Sequence, residues 1–571
     1  MSLYASSTRR RLDLAGLWQF NPTAAELPPD NWRDDQAMLL PGCWNTQNPE
    51  YYYQATAWAN KEVFVPADWP VACRLFCGIH AWELAVWVNG TRAGVHTGYL
   101  SAWIDVEVQP GTLNTFLLRM DASETDDRIG TRFDVNNPGG VFGALVLEAR
   151  EAVSINDLEV RTELAGDGAL VRVRAALAGQ ADALRLRVLD RGHEVAAHET
   201  ATARGTVEAA ITLPAARPWS PDDPYRYTLE AEVEAAGAVD QVSLQFGIRT
   251  VEVRGTGIYL NGALQSIRGM LTFNDHPDTS RYLPTHIILK DFWIAKHANV
   301  NAWRHHYPAS QEFLELADRY GFLVIESVPL VWNDNLRKPE IVHQAKQQLR
   351  EMIERGRNHP CIIGWGIWNE LGVFHDWYSD EEYKEIVKDV TRELLREAER
   401  LDPTRFALFA TGLILDEPCL ELEEAQVLGI NLYPRVYDPH IWKTSDPLEA
   451  ELKKGIEVLS FVREKFPDKA ILMTEFGWQT IPGLRDFRNC NWSEDYQAKF
   501  VGKLIPEMTR IGVCGFMFSC YADWMTRPVM KAPIEAERPG ELGYWGMLDQ
   551  YRRPKLVYNT IRDLYGEMKS Q

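Results

Sequence analysis

Two glutamates stand at the ends of apolar runs in the C-terminal half of the chain. One closes Ile362-Ile-Gly-Trp-Gly-Ile-Trp-Asn-Glu370 and the other lies in Ile471-Leu-Met-Thr-Glu475-Phe-Gly477. A carboxyl group that keeps its proton can protonate a leaving oxygen, and one that stays ionised can attack an acetal carbon. Two carboxylates facing each other therefore have the makings of glycosidic bond cleavage. At a separation of ~5 Å the ionised group bonds directly to the sugar and configuration is retained, whereas wider spacing admits water and inverts it. Burial, or the charge of the second group, must hold the two pKa values apart. A single strand-end glutamate could equally cap a helix or pair with an arginine. Two of them, each in a Gly- and aromatic-rich setting, fit that reading poorly.

The spacing specifies the elements that must hold them. After about residue 251, apolar runs of four to eight residues alternate with amphipathic helical stretches. The runs are Gln265–Met270, Val300–His305, Phe322–Ser327, Ile362–Trp368, Phe406–Ala410, Val427–Leu432, Ala470–Thr474 and Gly515–Tyr521. Strands this apolar are buried on both faces, as in a parallel sheet covered by helices. Eight such repeats predict a (β/α)8 TIM barrel over residues 251–571, with chemistry at the C-terminal ends of its strands. Glu370 and Glu475 lie 105 residues apart, three units of about 35 residues, which sets them nearly across the barrel mouth. A doubly wound sheet is the rival architecture, but the chain lacks a Gly-rich fingerprint.

The preceding residues are β-rich. Residues 1–150 contain short alternating runs and turns, including Trp82-Glu-Leu-Ala-Val-Trp-Val-Asn-Gly-Thr91 with an Asn89-Gly90 hairpin signal. They predict a jelly-roll-like β-sandwich with no long helix. Residues 151–250 predict an immunoglobulin-like sandwich of about seven short strands, without its cysteine pair. The chain is thus read as three domains within 571 residues.

Composition narrows the partners. The formal charge of -20, from 80 acidic and 60 basic residues, disfavours nucleic acid. No signal-like h-region or run of ~20 apolar residues points to a membrane. The expected location is cytoplasmic, or secreted or periplasmic if a leader has been removed. Eight scattered cysteines read as buried free thiols, with Cys73 and Cys77 as core packing. Twenty tryptophans favour carbohydrate, whose C–H faces stack on indole. Metal hydrolysis would need clustered His and Asp ligands, whereas His305 and His306 are adjacent on a strand and point apart. No Gly-x-Ser-x-Gly elbow supports a serine nucleophile. No cofactor or metal is implied, and a homo-oligomer is compatible with the sequence.

The motifs resemble glycoside hydrolase family 2, which includes β-galactosidases, β-glucuronidases and β-mannosidases. Trp368-Asn-Glu370 and Thr474-Glu-Phe-Gly477 carry the resemblance in the barrel. Gly16-Leu-Trp-Gln-Phe20, Leu40-Pro-Gly-Cys-Trp-Asn45, Val88-Asn-Gly-Thr91, His96 and Gly98-Tyr99 resemble its N-terminal sugar-binding-type sandwich. Trp219-Ser-Pro221 and Phe246-Gly-Ile-Arg249 resemble the close of its second domain, and Arg268-Gly269 with His306-Tyr-Pro308 the start of its barrel.

The resemblance implies an exo-acting, retaining β-glycosidase with Glu370 as acid/base and Glu475 as nucleophile. It implies that Asn369 binds the sugar 2-hydroxyl, that Tyr433 hydrogen-bonds the nucleophile, and that Arg304 and His306 shape the pocket floor. The alternative is a carbohydrate-binding relative that kept the fold and lost turnover. The sugar-reading positions depart from the family. Phe273-Asn274 replaces the histidine-glutamate pair of the galactosidases, and Gly543-Tyr-Trp545 replaces the Asn-x-Lys motif with which glucuronidases grip a carboxylate. The tryptophan expected early in the last barrel strand is displaced or missing. Asp275, His276, Asp523, Trp524 and Trp545 are the candidates for a new reading set.

Overall fold

The structure is a computed structural model. It describes residues 3–33, 35–52, 54–130, 137–332, 334–371, 380–412, 424–434, 444, 446–488, 490–526 and 542–570. Three β-rich bodies follow one another, each with its own hydrophobic core.

The first is a sandwich of a four-stranded and a six-stranded antiparallel sheet. Strands Glu83–Val88 and Thr91–Thr97 are joined through Asn89 and Gly90, both at positive φ, as a tight two-residue hairpin requires. Helix is confined to Trp44–Gln47 and a 3-10 turn at Pro49–Tyr51 among the described residues. Cys73 and Cys77 are free thiols packed in this core; Cys419 lies outside the described residues.

The second body has five continuous strands. Two of them, Gly168–Asp190 and His193–Leu213, break register midway, between Ala176 and Gln180, near Gly179 and Gly205 at positive φ, and again near their hairpin between Val188 and Leu189. Each long strand therefore works as two short ones, which reconciles the seven expected segments with the five observed. Trp219 and Arg249 join this body to the barrel. Trp219 is fully buried and donates its Nε1–H to Asp318 O at 2.8 Å, while Arg249 donates to the carbonyls of Pro360 and Ile362.

The third body is a closed barrel of eight parallel strands. They are β1 (Ile267–Thr272), β2 (Ala302–His305), β3 (Leu323–Ser327), β4 (Ile362–Asn369), β5 (Phe406–Thr411), β6 (Val427–Leu432), β7 (Ala470–Phe476) and β8 (Gly515–Phe518). Ile267 to Met270 pair in parallel with Gly515 to Phe518, which closes the ring. All eight apolar runs become barrel strands. β8 ends three residues earlier than its apolar run, because Ser519 to Tyr521 leave the ladder to bond with Phe476, Trp545 and Leu271.

The covering helices carry local start and stop signals. α1 (Thr285–His297) follows β1. α2 (Gln311–Tyr320) follows β2, is capped by the Ser310 hydroxyl and ends at Gly321 in the left-handed region. α3 (Pro339–Gly356) precedes β4. α4 (Glu381–Leu401) and α5 (Pro447–Lys465) are capped by Asp380 and Asp446. α6 (Glu494–Ile511) starts at Ser493 and ends at Gly512, and α7 (Leu556–Ser570) follows β8.

The first sandwich docks on the barrel beside its mouth. Tyr99 N–H donates to Gln348 Oε1 at 3.2 Å, and Gly130 N–H to Asp334 Oδ2 at 3.1 Å. Gly98 has φ +118, and a Cβ there would stand 1.8 Å from Gln348 Nε2, so only glycine fits this contact.

Candidate active site

Glu370 follows the last residue of β4, and Glu475 lies near the end of β7. Glu370 has φ +51 while its backbone N–H still donates to Ala410 O on β5 at 2.8 Å. A left-handed glutamate is uncommon, and here it lets the chain leave the ladder while the side chain stays in the mouth. Both residues are 7% exposed.

Their partners differ in kind. Glu475 Oε1 accepts from Arg304 Nη1 at 2.8 Å and lies 3.0 Å from His306 Nε2; its Oε2 accepts from the Tyr433 hydroxyl at 2.8 Å. Among the described residues Glu370 accepts from neutral donors, Trp332 Nε1 to Oε2 at 2.8 Å and Asn431 Nδ2 to Oε1 at 2.9 Å. The consequences are opposite. Burial, reinforced by the Glu475 charge, pushes the Glu370 carboxyl up to about 8. Burial acts on Glu475 in the same sense, but the His306 hydrogen bond and the Arg304 charge outweigh it and hold that carboxyl down at about 2.

Asn369 is locked between the two. Its Oδ1 accepts from Arg304 Nη2 at 2.9 Å and from Asn431 Nδ2 at 3.1 Å, and the Thr474 hydroxyl donates to Asn431 Oδ1 at 2.7 Å. β2, β4, β6 and β7 thus meet in one buried network. Gly412, just beyond β5, leaves room for the acid: a Cβ there would come within 2.9 Å of Glu370 Oε1.

The structure brings Asn369, Arg304, His306 and Tyr433 together around the pair. His305 turns away, packed edge-on against Phe313 at 4.4 Å. Phe273 stacks on His306 at 5.5 Å and contacts Trp524 at 4.4 Å. Trp545 stands edge-on to Tyr433 at 5.0 Å. A Cβ on Gly543 would lie 2.3 Å from the Trp524 ring, so that ring excludes any side chain at 543.

Three candidates have partners of their own outside the carboxylate pair. Asp275 accepts from Met525 N–H at 2.8 Å. Asp523 forms a buried ion pair with Lys555 at 2.6 Å and accepts from Gly546 N–H at 2.8 Å. His276 Nδ1 accepts from the backbone N–H of Asp278 at 3.2 Å. Trp332 and Asn431 contact Glu370 directly without having been singled out from the sequence. Asn431 had a signal, an amide inside a strand buried on both faces, whereas Trp332 had none.

Among the described residues, one group has metal-ligand character: Asp318, His359 and Cys361, whose ligating atoms lie within 4.8 Å of one another. It sits at the N-terminal end of the barrel strands, away from the carboxylates. Asp318 is already bonded there to His359 Nδ1 at 2.6 Å and to Cys361 N–H at 2.9 Å. No described helix is long and apolar enough to cross a membrane.

With this geometry in view, residues 251–569 match the model of the glycosyl hydrolases family 2 TIM barrel domain, and residues 153–249 match a second glycosyl hydrolases family 2 model. The chain belongs to glycosyl hydrolase family 2. It is a retaining, exo-acting β-glycoside hydrolase of the β-galactosidase/β-glucuronidase type, and carbohydrate is its substrate class. A β-glucuronidase of Paenibacillus borealis is 27% identical, with 98% of each chain covered. The solved β-glucuronidase of Faecalibacterium prausnitzii is 25% identical over 100% of this chain and 99% of that one, with a TM-score of 0.87. A β-galacturonidase of Eisenbergiella tayi bound to galacturonate is 25% identical over 99% of both chains, with a TM-score of 0.85.

Proposed function

We propose that Glu475 is the nucleophile and Glu370 the acid/base of a double displacement on a terminal β-linked sugar. The observation that carries these roles is the difference in hydrogen-bond partners: a cation, an imidazole and a phenol around Glu475, against an indole and an amide at Glu370. Charged donors stabilise an anion far more than neutral ones, so Glu475 rests ionised while Glu370 keeps its proton.

In the first step Glu475 Oε attacks the anomeric carbon and Glu370 passes its proton to the departing glycosidic oxygen. In the second, ionised Glu370 takes a proton from water, the water oxygen attacks the same carbon, and Glu475 leaves. Asn369 is oriented by Arg304 and Asn431 to meet the sugar 2-hydroxyl. Tyr433 steadies Glu475 from the side facing Trp545. The reaction thus belongs to residues 251–571, with residues 1–150 as the sugar-binding-type sandwich and 151–250 as the immunoglobulin-like spacer.

For the sugar, the proposal is a preference other than glucuronate, despite the activity of the named relatives. Gly543 and Trp545 offer neither an amide nor an ammonium, and the Trp524 ring fills the space above Gly543. Phe273 against Trp524, and Trp545 beside Tyr433, supply an aromatic wall suited to the C–H face of a sugar in this reading, ahead of Asp275, His276 and Asp523 as its readers. Glu370→Gln and Glu475→Gln should each abolish hydrolysis of the preferred β-glycoside. Near-normal turnover by either variant would refute the roles.

A further inference from the structure

Arg281 lies where the first sandwich meets the barrel and is 9% exposed. A guanidinium carries five N–H donors, yet none of them bonds to a described residue, and Nη2 is fully buried without a partner. Its contacts are aromatic: the guanidinium sits 3.8 Å from the Tyr307 ring centroid and 5.8 Å from that of Tyr99. A cation over a ring face recovers part of its hydration energy but leaves its N–H groups unsatisfied.

Among the described residues, no carboxylate forms an ion pair with it. Asp275 is close enough to be felt electrostatically but forms no ion pair with Arg281. Burial pushes the Asp275 carboxyl toward its neutral form, and its Oδ2 is committed to Met525 N–H. His80, on the sandwich side, is held neutral by burial, its pKa down at about 3.

Arg281 lines a cavity of about 20 Å³ shared with His80, Tyr99, Asn274, His306 and Tyr307. That volume admits one atom-sized guest. Asn274 supplies a second polar wall. Its Nδ2 donates to His305 Nδ1 at 2.9 Å and its Oδ1 has no partner. Turning the amide over would let its carbonyl accept from a protonated His305 Nδ1 and present its NH2 to the cavity.

We propose that this interdomain cavity binds a small monovalent anion of halide size, held by the Arg281 guanidinium and the Asn274 amide. The site adjoins the carboxylate pair through His306, which lines the cavity and also contacts Glu475, but it needs no substrate to be filled. Its occupant clamps the first sandwich to the barrel, because the cavity walls come from both.

The test uses the full chain without substrate, in sodium bromide or chloride against sodium gluconate at fixed ionic strength. The expected result is a saturable rise of about 1–3 °C in thermal midpoint with halide, together with a bromide anomalous peak at the Arg281 guanidinium. Arg281→Gln should lose both. Should that variant fail to fold, Arg281→Lys, which keeps the charge, should bind bromide at the same place more weakly. A midpoint indifferent to halide, or bromide bound only elsewhere, would overturn the proposal.

Discussion

Arg304 Nη1 lies 2.8 Å from Glu475 Oε1, while the other end of the same guanidinium holds Asn369 Oδ1 at 2.9 Å. One planar cation therefore favours the charge of Glu475 and orients the Asn369 amide. Lysine cannot reproduce a two-pronged contact of this kind. Arg304→Lys should lower kcat by about 10²–10³, the usual cost of removing a pre-organised electrostatic partner. It should also move the acid limb of the pH profile upward, because Glu475 loses a group that lowers its pKa. A variant within threefold of wild type, with an unmoved acid limb, would contradict this role.

The proposed double displacement needs Glu475 ionised and Glu370 protonated. With the pair held at about 2 and about 8, kcat/KM should fall as pH rises past about 8. Stability follows the same protons. Between 4.5, the ordinary value, and about 8, folded Glu370 keeps a proton that the unfolded chain has released. The folded state binds more protons there, so Glu370 makes stability fall as pH rises through that window. Glu475 does the reverse between about 2 and 4.5. Glu370→Gln removes the first slope. Its thermal midpoint should match wild type near pH 5 and exceed it by about 2 °C or more at pH 8. A difference independent of pH would mean that folded Glu370 is already ionised.

Gly412 bears on the acid through space alone. A Cβ 2.9 Å from Glu370 Oε1 must displace that carboxyl from Asn431. Gly412→Ala should reduce kcat/KM about tenfold or more while the thermal midpoint moves by only about 2 °C, since small displacements at reacting groups cost rate before stability. Full activity in the alanine variant would show that Glu370 tolerates another position.

The barrel was legible because each strand is buried on both faces and so reads as an unbroken apolar run. The second sandwich was less so, since a strand that turns a corner at Gly179 looks like two strands in sequence. In the site, residues ending a strand could be found by position, as Glu370, Glu475 and Arg304 were. Trp332 could not, because it reaches Glu370 from the loop after β3, where no periodicity applies. Asp523 shows the limit of position alone. It follows a strand end, as a functional residue would, but a lysine 32 residues later takes up its charge.

Substrate choice tests the aromatic wall. Across aryl β-glycosides, the glucuronide should be turned over at least about tenfold more slowly than the best of the galactoside, mannoside and galacturonide, for want of a charge clamp at 543–545. A glucuronide that leads the panel would place the carboxylate-reading group on residues other than these.

The most direct test of the double displacement is covalent trapping. A 2-deoxy-2-fluoro β-glycoside of the preferred sugar slows both steps and accumulates the glycosyl-enzyme, whose labelled peptide is then read by mass spectrometry. The label should lie on Glu475 at one equivalent per chain and disappear in Glu475→Gln. A label on Glu370, or steady turnover with no labelled carboxylate, would contradict the account.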